Sequence, residues 1–368
     1  MAKKKHSVNH INAFLVFYIV HTTQMGIGII GVPRILYTET KQDSWFVVLI
    51  TGMIISILVY VITKTSRYFQ NKDLFDIHLQ LAGPIGGRLL NVIFICYFIG
   101  GYYAVMMGYI EISATWGYEG LYEWVWALAL ILVSIYTVLG GIRIIAGICF
   151  ITFFITVWII CSMIPALDHI ILDRMKPIFQ ASIPELARGV YRSSFTMIGF
   201  EVLYFIYPYI KEKQKIFMYS LLANGFTTFF VCAFTLLAIL YFSGAQLERT
   251  IWAALNIISI VKLPFIERFE YVFISLWMFV ILTNLSIFLW IASKGIKKVF
   301  QFKQKYSVWI IGVIVFVMSL FLNDRTEHNQ FIDYVGMSGF YLWFCYPIIL
   351  LFWSWIHVKR TRRGEDST

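Results

Sequence analysis

The first long apolar segment of this chain, Ile11 to Tyr37, is interrupted close to its middle by Met25-Gly26-Ile27-Gly28-Ile29-Ile30-Gly31-Val32-Pro33. Three glycines and a proline so close together do not continue a helix, since each Gly costs roughly 1 kcal/mol relative to Ala and Pro roughly 3. Lipid offers no hydrogen bonds to the backbone groups that such a break releases. Unwound chain at membrane depth must therefore be buried in protein or face a hydrated cavity. Broken helices of this kind are where secondary transporters bind their substrates. The break thus predicts a small-molecule site inside a membrane. The competing reading is close helix packing through small residues, which leaves Pro33 without a role.

Composition supports the membrane. The 368 residues are 60% hydrophobic and 14% charged, against roughly 25% charged in a soluble domain. Apolar stretches long enough to span, about 20 residues, fall near 11–37, 44–63, 86–114, 122–139, 144–165, 184–210, 216–242, 267–293, 306–322 and 332–357. The expected fold is an all-α integral membrane domain of ten helices, with no soluble domain between them. Met1-Ala2-Lys3-Lys4-Lys5 is basic, but the segment after it is too long for a removable signal peptide and is read as a first span.

The net charge of +10 raises nucleic acid as a partner, and the placement of the charges argues against it. With both termini cytoplasmic, inner segments hold 20 of the 30 Lys and Arg residues, from Lys3 through Lys64, Lys211, Lys294 and Arg363, whereas outer loops hold seven. This is the bias of the positive-inside rule. Cys96, Cys149, Cys161, Cys232 and Cys345 all lie in predicted spans without a CxxC pair, and read as small core residues. No metal or cofactor site is expected, and nothing resembles a nucleotide loop or a nucleophile triad, so no enzymatic activity is expected.

A transporter built from inverted repeats needs a matching break five helices later. The sixth segment opens with Ser182-Ile183-Pro184-Glu185, a capping box with Pro in the first turn. At its middle lies Ser193-Ser194-Phe195-Thr196-Met197-Ile198-Gly199-Phe200-Glu201. Hydroxyls, a glycine and a carboxylate at the midplane do not suit a plain anchor. Breaks in segments one and six divide the chain into repeats 11–165 and 184–357, a five-plus-five inverted repeat. Residues 71–87 read as a short amphipathic cytoplasmic helix ending at Gly83-Pro84. The outer run Ile251 to Val261 is too short to span and reads as a lid.

The candidate ligand-binding residues are Gly26, Ile27, Gly28, Ile29 and Gly31 of the first break, with Thr196, Met197, Gly199 and Glu201 of the second. Free N–H groups at a helix start suit a carboxylate and the carbonyls at a helix end suit an ammonium, so an amino acid zwitterion fits both. Glu201 is a functional candidate as an intramembrane carboxylate, either meeting a substrate amine, titrating as a proton site, or bonding to nearby backbone. Arg34 and Asp333, both toward the outer side, are candidates for a gate. Thr283, Asn284 and Ser286 are candidates for a cavity wall or cation site. His21 and Gln24 read as packed polar residues, and Tyr97, Tyr102 and Tyr103 as core.

Several stretches carry a family resemblance: Gly31-Val32-Pro33-Arg34, Lys176-Pro177, Ile198-Gly199-Phe200-Glu201-Val202 and the basic Lys211 to Lys215. Further along come Thr250-Ile251-Trp252 leading to Phe265-Ile266-Glu267-Arg268-Phe269-Glu270, then Lys294-Gly295-Ile296-Lys297-Lys298 and Asp333-Tyr334-Val335-Gly336. Over essentially its whole length the chain resembles the B subunits of spore-germination nutrient receptors, a branch of the amino acid–polyamine–organocation transporter superfamily. The resemblance implies a sensor of small germinants, typically amino acids, in the spore inner membrane, working with an A subunit and a lipoprotein C subunit. Transporters of the wider superfamily often carry a coupling residue on the fifth helix. Here residues 144–165 contain no Lys, Asp or Glu, which favours a receptor over a proton- or cation-coupled amino acid permease.

Overall fold

The computed structural model describes residues 10–117, 122–261, 267–321 and 325–365, and over these the chain is helical with one isolated β-bridge. Lys3 to Lys5 and Lys262 to Ile266, used in the sequence reading, lie outside the described residues.

The first apolar segment divides into α1 (Leu15–Gln24) and α2 (Val32–Thr40), joined through a 3-10 turn at Ile27–Ile30. Pro33 sits in the first turn of α2, where its missing N–H costs nothing, so it starts a helix and does not kink one. α3 (Ser44–Tyr68) follows, then α4 (Leu74–Trp116). Gly83 inside α4 has φ 73°, so the chain turns there before Pro84, separating an amphipathic first part from the long apolar remainder. Next come α5 (Glu123–Leu139) and α6 (Ile142–Cys161).

The second half opens with α7 (Ile183–Met197), capped by Ser182 and Glu185. After the break come α8 (Leu203–Ile206), α9 (Ile216–Tyr241), and two short helices, α10 (Gly244–Arg249) and α11 (Ala253–Ile258). They are followed by α12 (Phe269–Phe300), α13 (Gln304–Phe321), α14 (Arg325–Phe340) and, after a π-helical turn at Tyr341–Cys345, α15 (Tyr346–Glu365).

Among the described residues, seven stretches of helix are individually long and apolar enough to cross a membrane, and α5 is a shorter apolar helix. Of the ten expected spans, those that fall short are α5 and the two broken ones. The most extensive packing is α4 against α12, and α3 against α9 is next. The second contact is tight because a Cβ on Gly52 would lie 2.4 Å from Thr228. Small residues of this kind let helices approach where lipid supplies no hydrophobic drive. Leu132 and Tyr136 of α5, Ile151 and Phe154 of α6, and Val313 and Phe321 of α13 point outward, as lipid-facing surfaces should. The protein is a multi-pass integral membrane protein.

Candidate functional site

Both breaks lie against each other at the centre of the molecule. Gly199, with φ 139°, is the closest point: a Cβ there would sit 2.5 Å from Gln24 N and Thr23 C. An L side chain would be strained by that dihedral and blocked by the backbone of α1 as well. Gly28 meets the second break from the other side, where its Cβ would lie 3.1 Å from Thr196 Oγ1.

Each break leaves helix-end carbonyls without an intrahelical donor, and side-chain amides supply the need. Gln24 Nε2 donates to Met197 O at the end of α7 (3.2 Å) and to Asn224 Oδ1 (3.2 Å). Asn284 Nδ2 donates to Thr22 O (3.1 Å) and Met25 O (3.2 Å) at the end of α1, and to Val280 O (3.0 Å) in its own helix. Asn224 Nδ2 donates to Gly52 O and Ser56 Oγ at 2.9 Å, tying α9 to α3.

A cavity of about 420 Å³ opens beside this junction, within the range of small-molecule sites. Its floor is Thr23, Gln24, Gly26, Ile27, Gly28, Thr196 and Asn284, and its walls include Tyr97 and Phe288. Toward its mouth stand two cations, Arg34 and Arg192, and two carboxylates, Glu39 and Asp333. Glu39 accepts from Arg188 Nε at 3.1 Å and lies 3.8 Å from Arg192 Nε, so α2 and α7 are joined by charge at the rim. Arg34 Nε donates to Glu248 O at 2.8 Å.

The opposite end of α1 is closed. Ile11 N–H donates to Tyr209 O (2.8 Å) and Lys211 N–H to Ile11 O (3.1 Å), while Ala13 N–H donates to Glu212 Oε2 (2.9 Å). That contact holds the Glu212 carboxyl below its usual range. Nearby, Asp73 is buried between Lys294 Nζ (2.9 Å) and Lys298 Nζ (3.6 Å).

The expected site residues divide between cavity and interior. Gly26, Ile27, Gly28 and Thr196 line the cavity, as do both gate candidates, Arg34 and Asp333, and Asn284 of the candidate cation site. Among the described contacts Arg34 and Asp333 are not ion-paired. Ile29 faces away into an apolar cluster with Ile159, Met163 and Phe230. Gly31 is packed against Ile251, whose carbonyl oxygen would lie 2.8 Å from an added Cβ. The expected lid, Ile251 to Val261, which includes α11, is therefore packed behind the first break and does not line the cavity. Met197 and Gly199 are buried at the helix junction.

Glu201, 1% exposed, is also absent from the cavity wall. Its Oε2 accepts Gly199 N–H at 2.7 Å, and its Oε1 has no hydrogen-bond partner. Thr283 donates to Val280 O (2.7 Å), and the Ser286 hydroxyl is buried without a partner. Gln24, Tyr97, Glu39 and Arg192 belong to the site and were not expected there. The signal for Arg192 was present in the sequence: Arg188 and Arg192, four residues apart, share one face of a helix entering the membrane.

A family model described as "Spore germination protein" matches residues 10–328. The spore germination protein GerQB of Bacillus cereus is 34% identical, over 93% of this chain and 95% of its own length. Spore germination protein A2 of Bacillus subtilis (strain 168) is 26% identical, over 93% of this chain and 94% of its own. Among solved structures, a substrate-bound outward-open Na+-coupled sialic acid symporter superposes with a TM-score of 0.68 at 14% identity, over 90% of this chain and 77% of that one. MhsT in complex with L-phenylalanine gives 0.62 at 14% identity, over 92% and 87%. At such identities the likeness shows the fold, which is that of these transporters.

Proposed function

The chain belongs to the family of spore germination proteins, and on that footing we propose that it is the germinant-binding subunit of a germination receptor, with an amino acid as its ligand. The observation that carries this reading is the cavity of about 420 Å³ beside the two helix breaks, with charges of both signs at its mouth. An ammonium and a carboxylate each find a counterpart there. MhsT, of the same fold, is described in complex with L-phenylalanine.

Occupancy favours one arrangement of the breaks over another, and that difference passes to A and C partner subunits. The signal needs differential affinity for two states and no chemical step. We place the protein in the spore inner membrane with ten crossings and both termini cytoplasmic, in repeats 11–165 and 184–357. In support of the repeats, each counterpart pair among the first four crossings packs together: the two breaks, α3 with α9, α4 with α12 and α5 with α13.

A panel of common amino acids, sugars and nucleosides, read by thermal shift of the purified chain, tests this. A saturable shift by an amino acid supports the reading. A response confined to sugars or nucleosides overturns the ligand class, and silence across the panel favours a scaffold whose pocket is vestigial. The second reading, a proton- or cation-coupled amino acid permease, draws on a cavity open at one end of α1 and sealed at the other. Concentrative uptake of labelled amino acid into vesicles holding only this chain would establish it and remove the receptor-only reading.

A further inference from the structure

The carbonyl end of α1 is a place where a helix concentrates negative potential, equivalent to about half an elementary charge. Three carbonyl oxygens, of Thr22, Met25 and Val280, converge there within 3.2 Å of one point. A cluster of hard oxygen donors at a helix end is the chemistry that holds a monovalent metal cation. The point of convergence is Asn284 Nδ2, on a residue 2% exposed. Its two hydrogens serve all three oxygens. The amide cannot be turned over, because Oδ1 would then face three carbonyls.

We propose that the Asn284 amide is a built-in substitute for a bound monovalent cation: it neutralises the carbonyl end of α1, pins that end to α12, and frees the protein from any sodium or potassium requirement for holding its binding site together. Gln24 does the equivalent work at the other break, where its Nε2 caps Met197 O at 3.2 Å. Both breaks are thus closed by neutral donors carried in the chain. A bound ion dissociates and reports its concentration, whereas a covalent amide does neither. Asn284 also lines the cavity floor, and in this role it is a positioning residue that acts through the break.

The test uses salts alone, so its outcome bears on Asn284 and leaves the germinant reading to its own experiment. Melting of the purified full chain is followed in sodium, lithium, potassium and choline chloride at equal ionic strength. Wild type should melt at one temperature in all four. Asn284→Asp keeps the volume but adds a fourth oxygen and a negative charge to the cradle. It should melt lower in choline and recover saturably in sodium or lithium. Asn284→Ala, which removes the donor and leaves the three carbonyl oxygens, should show the same dependence more weakly.

Saturable stabilisation of wild type by sodium over choline would overturn the proposal. So would variants destabilised equally in every salt, the signature of a merely structural amide. If neither variant yields folded protein in any salt, that too counts against it, whereas recovery only in sodium or lithium counts for it.

Discussion

Adding one methyl group at each of three glycines probes how closely the two breaks fit. At Gly199 the new carbon would stand 2.5 Å from Gln24 N and Thr23 C and 2.7 Å from Thr23 O. All three are backbone atoms that cannot rotate away. Holding a non-glycine residue at φ 139° costs about 1–3 kcal/mol, and overpacking a filled interior adds about 1–3. The sum, roughly 2–6 kcal/mol, is relieved only by separating α1 from the second break. Soluble domains of 150–250 residues lose about 2–4 °C per kcal/mol, so Gly199→Ala should lower the melting temperature by at least about 4 °C. Gly26→Ala adds the same methyl where nothing lies within 4 Å and should melt as wild type. Gly28→Ala falls between, because its methyl meets the Thr196 hydroxyl at 3.1 Å, on a side chain that can turn. Fluorescence-detected melting of the three variants gives the ranking. Equal losses at Gly26 and Gly199, or none at Gly199, would refute the facing-break geometry.

Other perturbations give separate readouts. Cysteines at Gly28 and Thr196 would bring their Cβ atoms to about 3.5 Å, within disulfide range, so mild oxidation should crosslink them; persistence of both free thiols would separate the breaks. Gly28→Val should abolish the ligand-induced thermal shift while the protein still folds, and a wild-type response would move the ligand elsewhere. Glu201→Gln perturbs the hydrogen bond from Gly199 N–H, at a cost of about 1 kcal/mol, and should lower stability with an unshifted germinant dose–response midpoint. A shift of ~100-fold or more, equivalent to about 2.8 kcal/mol, would instead place a ligand amine or a mobile proton on that carboxylate. Burial alone would raise the Asp73 carboxyl, but Lys294 and Lys298 beside it hold it below its ordinary value. A depressed carboxylate contributes its stability above the unfolded-state range, near pH 4, and loses it as pH falls through and below that range. Asp73→Asn should therefore destabilise by about 3–5 kcal/mol at neutral pH, and the gap to wild type should narrow on acidification below pH 4; a gap that persists unchanged would exclude the ion pair as its source.

The helix breaks were legible because Gly and Pro act on the backbone directly, whatever surrounds them. Pro33 ends one reading frame of helix and starts α2, and the five-helix offset then points to Gly199. Which residues of a break face the ligand was not legible. In the 3-10 turn neighbouring side chains diverge by about 120°, so Gly28 meets Thr196 while Ile29 enters an apolar cluster. The polar partners were hidden by distance along the chain: Gln24 reaches a carbonyl 173 residues away and Asn284 one 262 away. Glu201 was recognised as unusual for its burial, but its nearest donor, two residues back, claims one oxygen before any ligand does.

The seal at the far end of α1 is made chiefly of main chain. Ile11 pairs with Tyr209 and Lys211 through N–H and C=O groups that every residue except proline possesses. Such a closure is nearly blind to side-chain identity. Substitutions around Gly28, Thr196 and Tyr97 would therefore reshape the cavity and leave this main-chain closure intact.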